Sequence, residues 1–151
     1  MAMVIDAGGD AVRRYVEDVA VGDVAPVVRH VLTRTDLVRY AGASGDYNPM
    51  HHDEVKATAA GQPSVFGHGM FSMGLLGTAI TGFVGPAAVT SYRVRFIRQT
   101  WPGEQLVTSV VVSAIRADGG RHLVDLQVSL SNADGEVKVA GQATGVLLAR
   151  A

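Results

Sequence analysis

Between Tyr40 and Glu54 the chain reads YAGASGDYNPMHHDE, with Asp46 five positions ahead of His51. A carboxylate and a group that titrates near neutrality are the pair that general acid–base chemistry on a water molecule requires. Asn48 and Pro49 stiffen the connection between them, so both side chains can face one point. The same residue types are ordinary turn formers, and a plain connection between two helices needs nothing beyond SGDYNP. A second stretch tips the balance toward chemistry. In FGHGMF, Gly69 falls in the first turn of an apolar helix, where backbone N–H groups have no intrahelical acceptor. A glycine there lets a carbonyl approach closely, and the helix dipole adds partial positive charge. Water activation beside an oxyanion site is the minimum equipment for hydration.

These groups need elements to hold them. VVRHVL, from Val27 to Leu32, has the character of a strand leading into Thr33. Thr33 with Asp36 fits a capping box, opening a helix that carries Leu37, Tyr40 and Ala41 inward. Ser44 and Gly45 must end that helix, because glycine weakens it and Asn48-Pro49 cannot continue it. Asp53 is placed to cap a second short helix from Glu54 to Ala60, closed by Gly61 and Pro63. Gly69 then opens an uncharged helix that Gly82 to Pro86 ends.

Beyond Pro86 the apolar period falls from about 3.6 to about 2. Tyr92, Val94 and Phe96 alternate with Arg93 and Arg95, and Leu106 to Ile115 is rich in β-branched residues. Asp118-Gly119-Gly120 turns the chain back. Val124, Leu126, Val128 and Leu130 then alternate with Asp125, Gln127 and Ser129. Asn132 to Gly135 turns once more into Val137 to Leu148. The order is strand, short helices, one long apolar helix, then a meander of three or four strands. A sheet solvated on one face needs cover on the other, and the central helix is the large apolar element available. The expected fold is α+β, an antiparallel sheet curled around a helix whose small residues let strands come close.

At 151 residues, 48% apolar and 18% charged, the chain is long enough for one domain with a real core and too apolar for disorder. A net charge of −1 gives no electrostatic footprint for nucleic acid or an anionic membrane. The absence of cysteine removes disulfides, thiol nucleophiles and thiolate metal sites, and fits a cytoplasmic address. The start, MAMVIDAGGDAVRR, lacks an apolar core and reads as a flexible leader over residues 1–14, with one domain over 15–151. The uncharged run from Gly69 to Tyr92 is long enough to cross a bilayer. Its glycines, Pro86 and hydroxyl residues favour a helix buried in the protein instead, with no membrane partner.

YAGASGDYNPMHHDEVKA resembles the hydratase motif of the MaoC-like, (R)-specific enoyl-thioester hydratases and (3R)-hydroxyacyl-ACP dehydratases. The motif's places are held by Tyr40, Ser44, Gly45, Asp46, Asn48, Pro49, Met50, His51 and Ala57. GHGM, around His68, Gly69 and Met70, is similar to the second signature, at the start of the family's central helix. Ala43, Met50 and His52 depart from the usual choices, which bears on pocket shape but removes neither catalytic group. The likeness runs from about Tyr15 to Leu148.

The resemblance implies a hot-dog fold and a dimer, a homodimer or a heterodimer, with active sites near the interface. It implies reversible syn hydration of trans-2-enoyl thioesters, on CoA or ACP, to (3R)-hydroxyacyl thioesters. Asp46 and His51 would hold the water, and the Gly69 N–H would bind the thioester oxygen. Asn48, Ser44, Tyr40 and His68 would support them, and Met70, Phe71 and Met73 would line an acyl tunnel or simply fill the core. No cofactor is expected, because the thioester itself acidifies the α-carbon. No metal is expected at His51, His52, Asp53 and His68, since adjacent side chains on a loop point apart. His30 and His122 have packing or edge positions. Arg93, Arg95, Arg98 and Arg116 form either a solvated face or a contact for CoA phosphates or an acidic carrier. Two alternatives stay open: a subunit needing a heteromeric partner, and a hot-dog acyl thioesterase.

Overall fold

The computed structural model describes residues 14–151. The leader expected over residues 1–14 therefore lies outside the described residues, apart from Arg14, whose guanidinium sits 4.4 Å over the Phe83 ring. Five strands and three α-helices follow in chain order: β1 Arg29–Val31, α1 Arg34–Ser44, α2 Glu54–Ala59, α3 Gly69–Val84, β2 Val89–Phe96, β3 Gln105–Asp118, β4 Arg121–Asn132 and β5 Val137–Leu147.

The helix boundaries follow from local chemistry. The Asp36 N–H donates to the Thr33 hydroxyl at 3.1 Å, and the Thr33 N–H donates to the Asp36 carboxylate at 2.8 Å. This reciprocal cap stabilises α1 by about 1 kcal/mol. Gly45 ends the helix in the left-handed region, at φ 75°, with its N–H on the Ala41 carbonyl. Leu37 and Ala41 are buried, whereas Tyr40 is half-buried. The Asp53 carboxylate accepts the Lys56 N–H at 3.1 Å and starts α2.

All strand pairs are antiparallel, in the order β1-β3-β4-β5-β2. The row Val112, Leu126, Ala143 and Tyr92 runs across β3, β4, β5 and β2 toward α3, and the neighbouring row Val111, Gln127, Gln142 and Arg93 runs on the opposite face. Leu76 and Ile80 of α3 are 0% and 1% exposed among Leu126, Leu130 and Val110. Each such side chain contributes about 1.5–3 kcal/mol by leaving water.

Two features give the expected fold its detail. The meander has three strands, β3, β4 and β5, within the three or four expected, and β2 joins at the far edge of β5. Tight turns join β3 to β4 and β4 to β5, but residues 97–104 form a connection long enough to cross the sheet, so sequence adjacency does not become spatial adjacency. Second, α3 keeps one stripe open beside the sheet that curls around it. Met70, Gly74 and Gly82 are exposed, and a side chain added at Gly74 or Gly82 would meet nothing within 4 Å. The sheet covers one side of α3 and leaves a stripe open. The helix is 16 residues long, and no helix among the described residues is long and apolar enough to cross a membrane.

Candidate active site

The loop after α1 spends its polar groups on itself. The Ser44 hydroxyl donates to the Tyr40 carbonyl at 2.7 Å and accepts the Asp46 N–H at 3.2 Å. Asp46 Oδ1 accepts the Asn48 N–H at 3.2 Å, and Asn48 Oδ1 accepts the Met50 N–H at 3.1 Å. Asn48 thus caps the 3-10 turn Pro49–His51, where Pro49 supplies a preset φ. Each residue fixes the next, and the Asp46 Oδ2 oxygen is left over. Its side chain is 50% exposed.

His51 is buried, and its Nδ1 lies 2.8 Å from the Phe66 carbonyl. A carbonyl only accepts, so Nδ1 carries the proton of the neutral ring and Nε2 keeps a lone pair. That Nε2 stands 3.8 Å from Asp46 Oδ2. Two acceptors cannot bond one another, but a water can donate one O–H to each. The next residue behaves differently. His52 turns its Nε2 away, to the Tyr47 carbonyl at 3.0 Å.

His68 precedes α3 and is 1% exposed. Its Nε2 donates to the Asp46 carbonyl at 3.1 Å, and its ring stacks on His51 at 3.9 Å and 30°. Tyr40 packs on His68 as well, at 4.9 Å. Burial, and secondarily the neighbouring His51, hold the His68 pKa below the ordinary imidazole value despite the Asp46 carbonyl. The Gly69 N–H, one residue on, finds no acceptor among the described residues.

Gly69 borders a cavity of about 380 Å³, whose wall includes Phe66, Gly67, Ser72, Phe96, Arg98 and Thr100. A Cβ on Gly67 would stand 2.2 Å from the Thr100 hydroxyl, so only glycine lets the Ile97–Thr100 segment close this wall. Asp46 and His51 are not on it; His51 meets the wall residue Phe66 at its carbonyl, and His68, bonded to the Asp46 carbonyl, immediately precedes Gly69. Met70, Phe71 and Met73 also stand off this wall. Met70 is 56% exposed, Phe71 packs on Tyr40 and His30, and the Met73 carbonyl accepts the Tyr92 hydroxyl. Sequence reasoning missed Ser72, a hydroxyl in an apolar helix, and Thr100, in a connection with no periodic pattern.

Other residues find structural places. His30 Nε2 bonds Asp36 at 3.0 Å. Arg116 makes two hydrogen bonds with Asp125, and Arg98 meets Glu136 at 3.3 Å. Arg93 and Arg95 are exposed on β2. Potential ligand atoms of Asp46, His51 and His68 lie within 4.8 Å of one another. The two imidazoles are near-parallel, however, so their in-plane lone pairs run side by side instead of converging on one ion. That donor set suits a water better than a metal.

Comparison with known proteins places these features. A model of the MaoC like domain matches residues 13–133. The (R)-specific enoyl-CoA hydratase of Rhodospirillum rubrum is 27% identical over 143 residues, covering 93% of this chain and 96% of that one. The solved structure of the R-hydratase PhaJ1 from Pseudomonas aeruginosa superposes with a TM-score of 0.76 at 27% identity, over 89% of this chain and 85% of that one. The ChsH1-ChsH2 complex from Mycobacterium tuberculosis contains a chain with a TM-score of 0.71 at 28% identity, over 87% of this chain and 98% of that one. Other curated relatives are longer, and the chain spans 25% and 34% of the length of two that it matches.

Proposed function

The chain belongs to the MaoC-like domain family, and from that premise we propose that it adds water reversibly across trans-2-enoyl thioesters, giving (3R)-hydroxyacyl thioesters. The observation that carries this reading is the bare Nε2 of His51 facing Oδ2 of Asp46 at 3.8 Å, next to the amino end of α3. One water donates to both and turns its oxygen lone pairs outward. In hydration His51, the stronger base of the two types, takes the water's proton as the oxygen bonds to Cβ. The π electrons move toward the thioester carbonyl, and its oxygen gains negative charge against the Gly69 N–H. The pair then returns one proton to Cα from the same side, which makes the addition syn. Dehydration runs these steps backward.

The magnitudes suffice. A positioned acid or base supplies roughly 10²–10⁴-fold, and an oxyanion donor roughly 10²–10³-fold. The thioester stabilises charge at the α-carbon, so the scheme calls on no further group. Substrates are acyl-CoA or acyl-ACP, in fatty-acid-type metabolism in the cytoplasm, with residues 15–151 as one working domain. Loss of the conjugated enoyl-thioester absorbance, with the product resolved as its 3R isomer, tests the reaction. Release of free thiol without hydration would make the chain a thioesterase instead.

A second reading has its own support. The likeness to a chain of the ChsH1-ChsH2 complex favours a subunit that works with a different partner. Turnover and native mass of the chain purified alone separate the two. An active homodimer supports the first, and an inactive chain that gains turnover with a partner supports the second.

A further inference from the structure

We propose that His68 is a positioning residue for this reaction, its ring clamping His51 and the Asp46 backbone into one unit at the amino end of α3. The inference rests on the hydration reading above. It starts from two local penalties that meet at one side chain. His68 occupies the N-cap of α3, a position where Ser, Thr, Asp or Asn would satisfy a free N–H, yet its side chain makes no cap bond. Its Nδ1 is buried without a partner, which is costly for a polar atom. A phenylalanine would stack here without the unpaired nitrogen, and an asparagine would cap the helix.

What the ring does instead reaches across the site. Its Nε2–H ties α3 to the Asp46 carbonyl, a contact between residues 22 apart in sequence. Its face lies on His51, with Tyr40 of α1 also packed on it. The His51 ring is therefore fixed by the Phe66 carbonyl and by the stack, in the orientation that aims Nε2 at Asp46. Since His68 leads directly into Gly69, one residue registers the base, the carboxylate loop and the oxyanion donor. The titratable groups facing it are Asp46, His51 and His52 from the loop and Tyr40 from α1. When His51 takes a proton, a neutral His68 adds no second positive charge to the stack.

Two substitutions separate the clamp's halves. His68→Gln keeps a donor for the Asp46 carbonyl and loses the stack, whereas His68→Phe keeps the stack and loses the donor. Each is expected to lower kcat about 10–100-fold, the effect of a small misplacement, with KM little changed and cooperative unfolding retained. Ring-nitrogen NMR gives a readout independent of turnover. The chain has five histidines, and the His51 signals are identified by their loss in His51→Asn. Wild-type His51 should hold the Nδ1–H form, while both His68 variants should show averaging between tautomers. Folded variants with wild-type kcat and wild-type His51 signals would overturn the proposal. So would a wild-type His51 that already averages, or variants that lose only melting temperature. If wild-type protein turns over no enoyl thioester, alone or with a partner subunit, the hydration reading fails, while the His51 spectra still decide the clamp.

Discussion

The Nδ1–H of His51 donates to the Phe66 carbonyl at 2.8 Å, and this one bond decides which nitrogen faces Asp46. The two partners are fifteen positions apart, so the orientation of the imidazole depends on the segment leading into α3 as much as on its own loop. His51→Asn tests the division of labour. The asparagine amide can still donate to the Phe66 carbonyl, but no atom replaces Nε2. Circular dichroism should be unchanged, and turnover should fall about 10²–10⁴-fold.

Gly67 and Gly69 should respond differently to alanine. A Cβ at Gly67 meets the Thr100 hydroxyl at 2.2 Å, and Thr100 is buried, so the wall must shift. Gly67→Ala is expected to cost about 1–3 kcal/mol of stability by overpacking. At Gly69 the new Cβ meets the Phe96 ring at 3.2 Å, and that side chain is 49% exposed and free to swing. Gly69→Ala should unfold near the wild-type midpoint but lose turnover, as the approach to its N–H narrows. Urea melts and initial rates on the two proteins check both outcomes.

Lys138 is the most deeply buried charge among the described residues, 1% exposed on β5. Its ammonium meets Glu104 at 2.8 Å and also pairs with Glu136. Burial pushes the Glu104 carboxyl up, but bonds from Lys138, the Trp101 N–H and Asn132 outweigh it, and its pKa ends below the usual value. Lys138→Met leaves Glu104 without its cation and should cost about 3–5 kcal/mol. Adding Glu104→Gln should recover part of that loss, which thermal melts of the single and double variants would show.

Stability should also fall on mild acidification, and His68 sets the sign. Its folded pKa lies below the unfolded value of about 6.5. Above that value both states are neutral and the full stability is present. As pH drops below it, the unfolded chain binds a proton first, so stability declines toward the folded pKa. The lowered carboxyls Glu104 and Asp36 lose their contribution further into acid. Denaturant midpoints at pH 7.5 and 5.5 should differ more for wild type than for His68→Phe; equal differences would remove His68 as the cause.

Much of this was legible because it is local. Thr33 with Asp36, Gly45, and Asp53 with Lys56 act within a few residues of one another, so α1 and α2 begin and end where capping and turn chemistry require. Alternation along β4 likewise reports its own buried face. The position of β2 beside β5 depends on a crossing connection, and no local pattern encodes it. For the same reason the His51–His68 stack and the Lys138 ion cluster were invisible. Each joins segments whose approach is set by the packed sheet and helix. The cavity beside Gly69 illustrates the limit: half of its wall comes from the Phe96–Thr100 segment, whose approach to α3 no local pattern encodes.

The most direct measurement is the rate at which Asp46→Asn consumes a trans-2-enoyl thioester. The side chain is half exposed and its Oδ1 serves only the Asn48 N–H, so the amide can replace it with stability changed by about 0.5 kcal/mol or less. A folded Asp46→Asn protein whose turnover drops about 10²–10⁴-fold is the predicted result. A variant that hydrates the substrate at the wild-type rate would contradict a water held between Asp46 and His51.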